Sequence, residues 1–201
     1  TEKFMEMISL QQQHWVIKLS ANIAPTANNM RIRKQWKSDR CPRCKRTTET
    51  PEHILLCWQN ESDWFDFLKR LGKKLKDIQT APTLEREIID GLTEFYEQGD
   101  NIEGHSKTKI TYKQHEMGWF QTFLGCWDKS VVDYQGTWYI DKGKRKSSSN
   151  WAAQTSYILF QFFWQCSMTR NELVHSNKKP IIAKQGDEFI PTQRAIRRRH
   201  G

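Results

Sequence analysis

Cys41, Cys44, His53 and Cys57 are the residues whose types and spacing can do chemistry together. They read C-x2-C-x8-H-x3-C, four soft or borderline ligands within seventeen residues. Thiolate sulfur and imidazole nitrogen suit Zn²⁺, and four of them complete a tetrahedral shell. Cys41 and Cys44 flank the Pro42-Arg43 turn, so both sulfurs can reach one ion. His53 and Cys57 stand four apart, which puts them on one face of a helical turn. The expected unit is a short knuckle closing onto the first turn of a helix. A catalytic zinc keeps an open position beside three protein ligands, whereas this set is complete at four. The expected cofactor is therefore a structural Zn²⁺, whose binding can contribute about 10 kcal/mol to local order.

Other chemistry is sparse. Tyr139-Ile140-Asp141-Lys142 has one acid and lacks the second of a paired-aspartate polymerase motif, and no set of acids suits two-metal nuclease work. The chain is read as non-catalytic. His175 could be an acid–base group beside Arg170 and Asn171; the simpler reading is that it satisfies hydrogen bonds at the end of a buried helix while Asn171 with Arg170 ties helices together. His115 is read in the same way beside an apolar stripe, and His14 and His105 as surface residues.

The charge pattern surrounds the ligand set. With 32 Lys and Arg against 23 Asp and Glu, the net charge of +9 points to a polyanion partner. Arg31, Arg33, Lys34, Lys37, Arg40, Arg43, Lys45 and Arg46 run into the knuckle against a single acid, Asp39. Trp36, within that run, either packs beneath the cations or stacks on a base. Lys142, Lys144, Arg145 and Lys146 form a second cluster, a candidate phosphate contact or nuclear localisation signal, and Arg194, Arg197, Arg198 and Arg199 form a third.

The elements that must position these groups are helical. Residues 2–20 read as a helix with Gln11, Gln12 and Gln13 on its solvated face, stopped by the run 24–29. Thr50 reads as an N-cap with Pro51 at the first helical position, opening a helix to Asp77 that breaks near 60–62. A third helix over 83–98 carries Leu84, Ile88, Leu92 and Phe95 on one stripe. The apolar spacing from Met117 to Tyr134 predicts a fourth helix over 110–134, ended by Gly136. A basic linker over 141–150, expected to be flexible, leads to a fifth helix over 151–175, capped by Ser149 or Asn150. That helix is apolar on most faces and is expected to be central. The fold class is mostly α, about five helices, with the knuckle between the first two. The domain division is 1–30, an N-terminal helix; 31–60, the basic segment and knuckle; 61–177, the helical core; and 178–201, an extended basic tail.

Twelve per cent aromatic residues, nine of them Trp, supply a core that a disordered chain would not carry. No run of about 18 apolar residues predicts a membrane span. No charged-then-apolar leader is read at Thr1, and a start without Met suits a piece of something longer. Cys126 and Cys166 sit in apolar helical patterns as reduced thiols, a usage that suits an intracellular compartment, nuclear or cytoplasmic.

Cys41-Pro42-Arg43-Cys44, followed by Glu49-Thr50-Pro51-Glu52-His53-Ile54-Leu55-Leu56-Cys57, resembles the zinc-binding region that follows the reverse transcriptase and ribonuclease H domains of non-LTR retroelements. Those regions read C-P-x-C, then E-T-x-x-H-x-L, then C. Trp164, Arg170-Asn171 and His175 resemble the W…RN…H run near their end, and Gly118-Trp119 with Phe123-Leu124-Gly125 looks like a segment of related algal elements at different spacing. The resemblance covers 36–60 well and 110–175 loosely. It implies a nucleic-acid-associated accessory module of a mobile-element polyprotein or a domesticated copy, with only Cys41, Cys44, His53 and Cys57 carried over. The expected partner is RNA or DNA. The alternative is a protein-interaction or self-association module built on the aromatic-rich helices.

Overall fold

Among the described residues, 2–100 and 109–176 of the computed structural model, the organising element is the 29-residue helix Ser148–Ser176. Its sequence is apolar around most of its circumference, so it must be covered on most sides. Nine shorter helices among the described residues precede it: α1 Glu2–Glu6, α2 Leu10–Ser20, α3 Ala27–Ile32, α4 Pro51–Leu56, α5 Glu61–Asp77, α6 Pro82–Gln98, α7 Tyr112–Met117, α8 Phe120–Phe123 and α9 Lys129–Asp141. The long helix is then α10. It packs against α1, α4, α5, α8 and α9, while α5 packs along α6. The fold is mostly α, and the described residues hold no strand beyond an isolated bridge between Arg40 and Thr48. The segment 178–201 with its arginine cluster, and residues 101–108 with His105, lie outside the described residues.

The core is aromatic. Trp64 of α5 is fully buried, with Phe67, Phe95, Tyr96, Phe123 and Phe162 around its ring at centroid distances of 5.1–6.3 Å. Phe67 and Phe162 stack in parallel at 4.2 Å and lock α5 to α10. The stripe Leu84, Ile88, Leu92 and Phe95 of α6 is fully buried, as its spacing predicts. In α6, Gly91 lies against Trp119, where a Cβ would come within 2.1 Å of the indole.

Several boundaries differ from the sequence expectation, each for a local reason. The 2–20 helix is two helices, because Ser9 and Gln12 form a reciprocal capping box that starts α2 afresh. Gln11 is exposed as expected, Gln12 is half-buried in the cap, and Gln13 turns inward, donating to the Met5 and Ile8 carbonyls. The 51–77 helix is α4, a 3₁₀ turn Trp58–Asn60, and α5. The 110–134 helix is broken at Gly118 (φ +93°) and Gly125 (φ +83°), left-handed positions that end α7 and follow α8. Gly136, expected as a stop, lies inside α9.

The 141–150 run is not a loose linker. The chain turns at Gly143, Lys144 donates to Gln79 at 2.9 Å, and Ser147, rather than Ser149 or Asn150, accepts the Asn150 amide to cap α10. The α5–α6 corner beside it is pinned by α9: Gln135 accepts from the Ala81 amide and donates to the Gln79 carbonyl. Tyr139 donates to the Ile78 carbonyl there, and Trp151 of α10 to the Thr80 hydroxyl.

Candidate metal centre

The segment 33–49 reverses on itself. Cys41 N–H donates to the Thr47 carbonyl, Lys45 N–H to the Cys41 carbonyl, and Glu49 N–H to the Asp39 carbonyl. Lys45 takes φ +58°, which tightens the turn after Cys44. Thr50 caps α4, its hydroxyl accepting the His53 amide at 3.1 Å, and Pro51 takes the first helical position. Thus α4 presents His53 toward the knuckle while Ile54 and Leu55 enter the main core. Asn60 closes the other end, its amide donating to the Ile54 and Leu55 carbonyls, so Cys57 leaves α4 at a fixed point.

The four ligand atoms of Cys41, Cys44, His53 and Cys57 all lie within 4.8 Å of one another. The Cys41 and Cys57 sulfurs are 4.0 Å apart, and the Cys44 sulfur is 3.4 Å from His53 Nε2. A tetrahedral zinc with Zn–S about 2.3 Å and Zn–N about 2.0 Å sets these edges near 3.8 and 3.5 Å. The Cys₃His group can therefore hold a metal ion, and its donors are those Zn²⁺ takes. All three cysteines are buried.

The shared hydrogen bonds split the four groups electrostatically. The hydrogen bond shared with Cys57, together with burial, pushes the Cys41 thiol up to about 12. The same bond lowers Cys57. Burial opposes ionisation of Cys44, yet the backbone amides of Arg46 and Thr47 draw it below its usual value. Burial opposes the charge on His53 too, but the adjacent Cys41 and Cys44 sulfurs raise it. Amides of Arg43 and Cys44 also face Cys41, and that of Gln59 faces Cys57. Such donors around thiolates are the outer support that metal-bound sulfurs use.

Around this centre the basic residues divide into two groups. Lys34, Lys37 and Lys45 are exposed. Arg31 lies 3.4 Å from Asp39, Arg33 donates to the Ile23 carbonyl at 2.7 Å, and Arg46 sits 5.2 Å from the Trp58 ring centroid. All three remain exposed. Arg40 instead binds the Arg46 carbonyl, and Arg43 binds Asn60 and the Gln59 carbonyl, so these two brace the knuckle. Trp36 does not pack into a core; it is 39% exposed.

The second cluster is distant. Lys144 is held by Gln79 and the Trp138 ring, while Arg145 and Lys146 are exposed at the start of α10. The knuckle contacts α10 at Arg170, about 33 Å along a helix rising 1.5 Å per residue.

Sequence reasoning placed Glu49 in the family-like motif but missed its buried role. Fully buried, it takes a bidentate pair from Arg170 of α10 at 2.6 and 2.9 Å and also the Ala27 amide at 2.6 Å. Arg170 also donates to Asn171 at 3.0 Å, and it ties helices together, as expected, but through Glu49, linking α10 to the knuckle exit and to the start of α3. His175 is exposed in the last turn of α10, and buried His115 accepts the Trp119 indole N–H at 3.0 Å. No helix among the described residues is long and apolar enough to cross a membrane. Comparison with protein-family models, curated proteins and solved structures finds no match for this chain.

Proposed function

We propose that the chain is a non-catalytic nucleic-acid-binding module, stabilised by one structural Zn²⁺ and belonging to a retroelement-type protein. The carrying observation is the convergence of four ligand atoms within 4.8 Å at the base of an arm rich in exposed cations. The metal holds the arm in one shape, so less conformational entropy is lost when phosphates dock. The retroelement reading is supported by the C-P-x-C…E-T-x-x-H-x-L…C wording alone.

A labelled oligonucleotide tests this. If about six phosphates are neutralised, affinity falls about a thousandfold between roughly 50 and 200 mM salt. Charge reversal at Lys34, Lys37 and Lys45 should flatten that slope by about 0.9 for each phosphate no longer neutralised. Removing the metal with a chelator should weaken binding. Unchanged affinity and slope after charge reversal would reject the reading.

An apolar groove of about 510 Å³ between α5 and α10, walled by Phe67, Leu71, Ile158, Phe162 and Met168, favours the alternative of a protein-interaction module. Association that is insensitive to salt would support it.

A further inference from the structure

We propose that the Trp58 indole is a base-stacking platform, and hence that the preferred nucleic acid is single-stranded. This rests on the nucleic-acid reading above and specifies its substrate class.

The argument begins with where indoles are left uncovered. Of nine Trp, three (Trp64, Trp119 and Trp151) are at most 2% exposed, and Trp15, Trp127, Trp138 and Trp164 pack against the hydrophobic clusters. Only Trp36 and Trp58 are exposed, at 39% and 49%. Those two flank the metal ligands in the chain: Trp36 precedes Cys41 by five residues and Trp58 directly follows Cys57. A fold that buries its other indoles leaves these two wet where its cations are densest.

Trp58 is also rigidly mounted. It opens the 3₁₀ turn Trp58–Asn60, whose start is the buried ligand Cys57 and whose end is Asn60, itself bound to the Ile54 and Leu55 carbonyls. Arg43 reaches across from the knuckle to Asn60 and the Gln59 carbonyl, tying the turn to the Cys41–Cys44 loop. Arg46, from the same loop, lies over the Trp58 ring. The indole is thus held in place and half exposed, with the Arg46 guanidinium over the ring available to a neighbouring phosphate.

An unpaired base can lie on such a ring with its phosphate near Arg46 or Lys45. A base in a duplex is already stacked on both faces, so a duplex gains from the cations alone. Stacking of this kind is sequence-tolerant because every base has a π-face.

The test uses the metal-loaded full chain with a short single-stranded DNA, a duplex of equal phosphate count, and a strand of abasic sugars. The wild type should bind the single strand best. Trp58→Ala should weaken single-strand binding about five- to a hundredfold, leave the salt slope intact, and bring the single strand and abasic strand to similar affinity. Trp58→Phe should restore most of the loss. Metal content is measured on each variant. A wild type that binds abasic and base-bearing strands equally overturns the proposal without recourse to any variant, as does a metal-loaded Trp58→Ala that binds like wild type. If no strand binds in a salt-dependent way, the nucleic-acid reading itself fails.

Discussion

Glu49 and Arg170 stand 121 residues apart in the chain and meet as a bidentate pair, with the carboxylate fully buried. Each falls in a motif of the family resemblance, but nothing in either motif says that the two meet. Glu49 reads as the residue before the Thr50 N-cap in the quoted motif, and Arg170 as a residue that ties helices together with Asn171. The metal ligands were legible for the opposite reason: they lie close in sequence, and their spacing alone brings the atoms together. Trp58 was hidden because an indole beside a buried cysteine reads as core. A buried charge stripped of its partner costs about 3–5 kcal/mol, whereas removing both partners costs far less. Arg170→Met should therefore destabilise by about 3–5 kcal/mol, and adding Glu49→Gln should recover part of that loss. Gln at 49 keeps an oxygen for the Ala27 amide. Urea unfolding of the two single variants and the double checks the cycle, and additive losses would count against a coupled pair.

At the scale of elements, helix existence was readable and helix interruption was not. The 3–4 apolar spacing runs from Met117 to Tyr134, because the pieces of the 110–134 stretch all face the same core. The breaks come from Gly118 and Gly125, which take φ values that side chains resist. Gly136, of the same residue type, sits in mid-helix, so residue identity alone could not separate stop from passage. Gly91 and Gly72 show the same ambiguity in packing. Alanine is favoured over glycine inside a helix by about 1 kcal/mol. At Gly72 nothing lies within 4 Å of the added methyl, so Gly72→Ala should stabilise by up to about 1 kcal/mol. At Gly91 the methyl meets the Trp119 ring at 2.1 Å inside a filled core, so Gly91→Ala should destabilise by about 1–3 kcal/mol. Thermal melts of the pair test this. Equal signs for the two substitutions would contradict the packing between α6 and Trp119.

For the molecule as a whole, the question is whether knuckle and bundle are one cooperative unit. Cys41, Cys44 and Cys57 form a cluster apart from the aromatic core, which taken alone describes an independent appendage. Two links oppose that. The short helix α4 carries His53 toward the candidate ligand cluster and Ile54 and Leu55 into the main core, so a metal bound there would also hold a helix that the bundle packs against. The Glu49–Arg170 pair then joins the knuckle exit to the far end of α10. Ligand binding to the folded state alone stabilises everything that unfolds with the site. Chelation should therefore lower the melting temperature of the tryptophan core, read by near-UV circular dichroism, and not only disorder the knuckle. If about 3 kcal/mol of the binding energy is shared, the shift is about 6–12 °C for a chain of this size. In the Glu49→Gln/Arg170→Met double variant one link is gone, so chelation should move the core melt by less. A core melt indifferent to chelation would make the knuckle a separate unit, with the basic arm's shape uncoupled from the bundle.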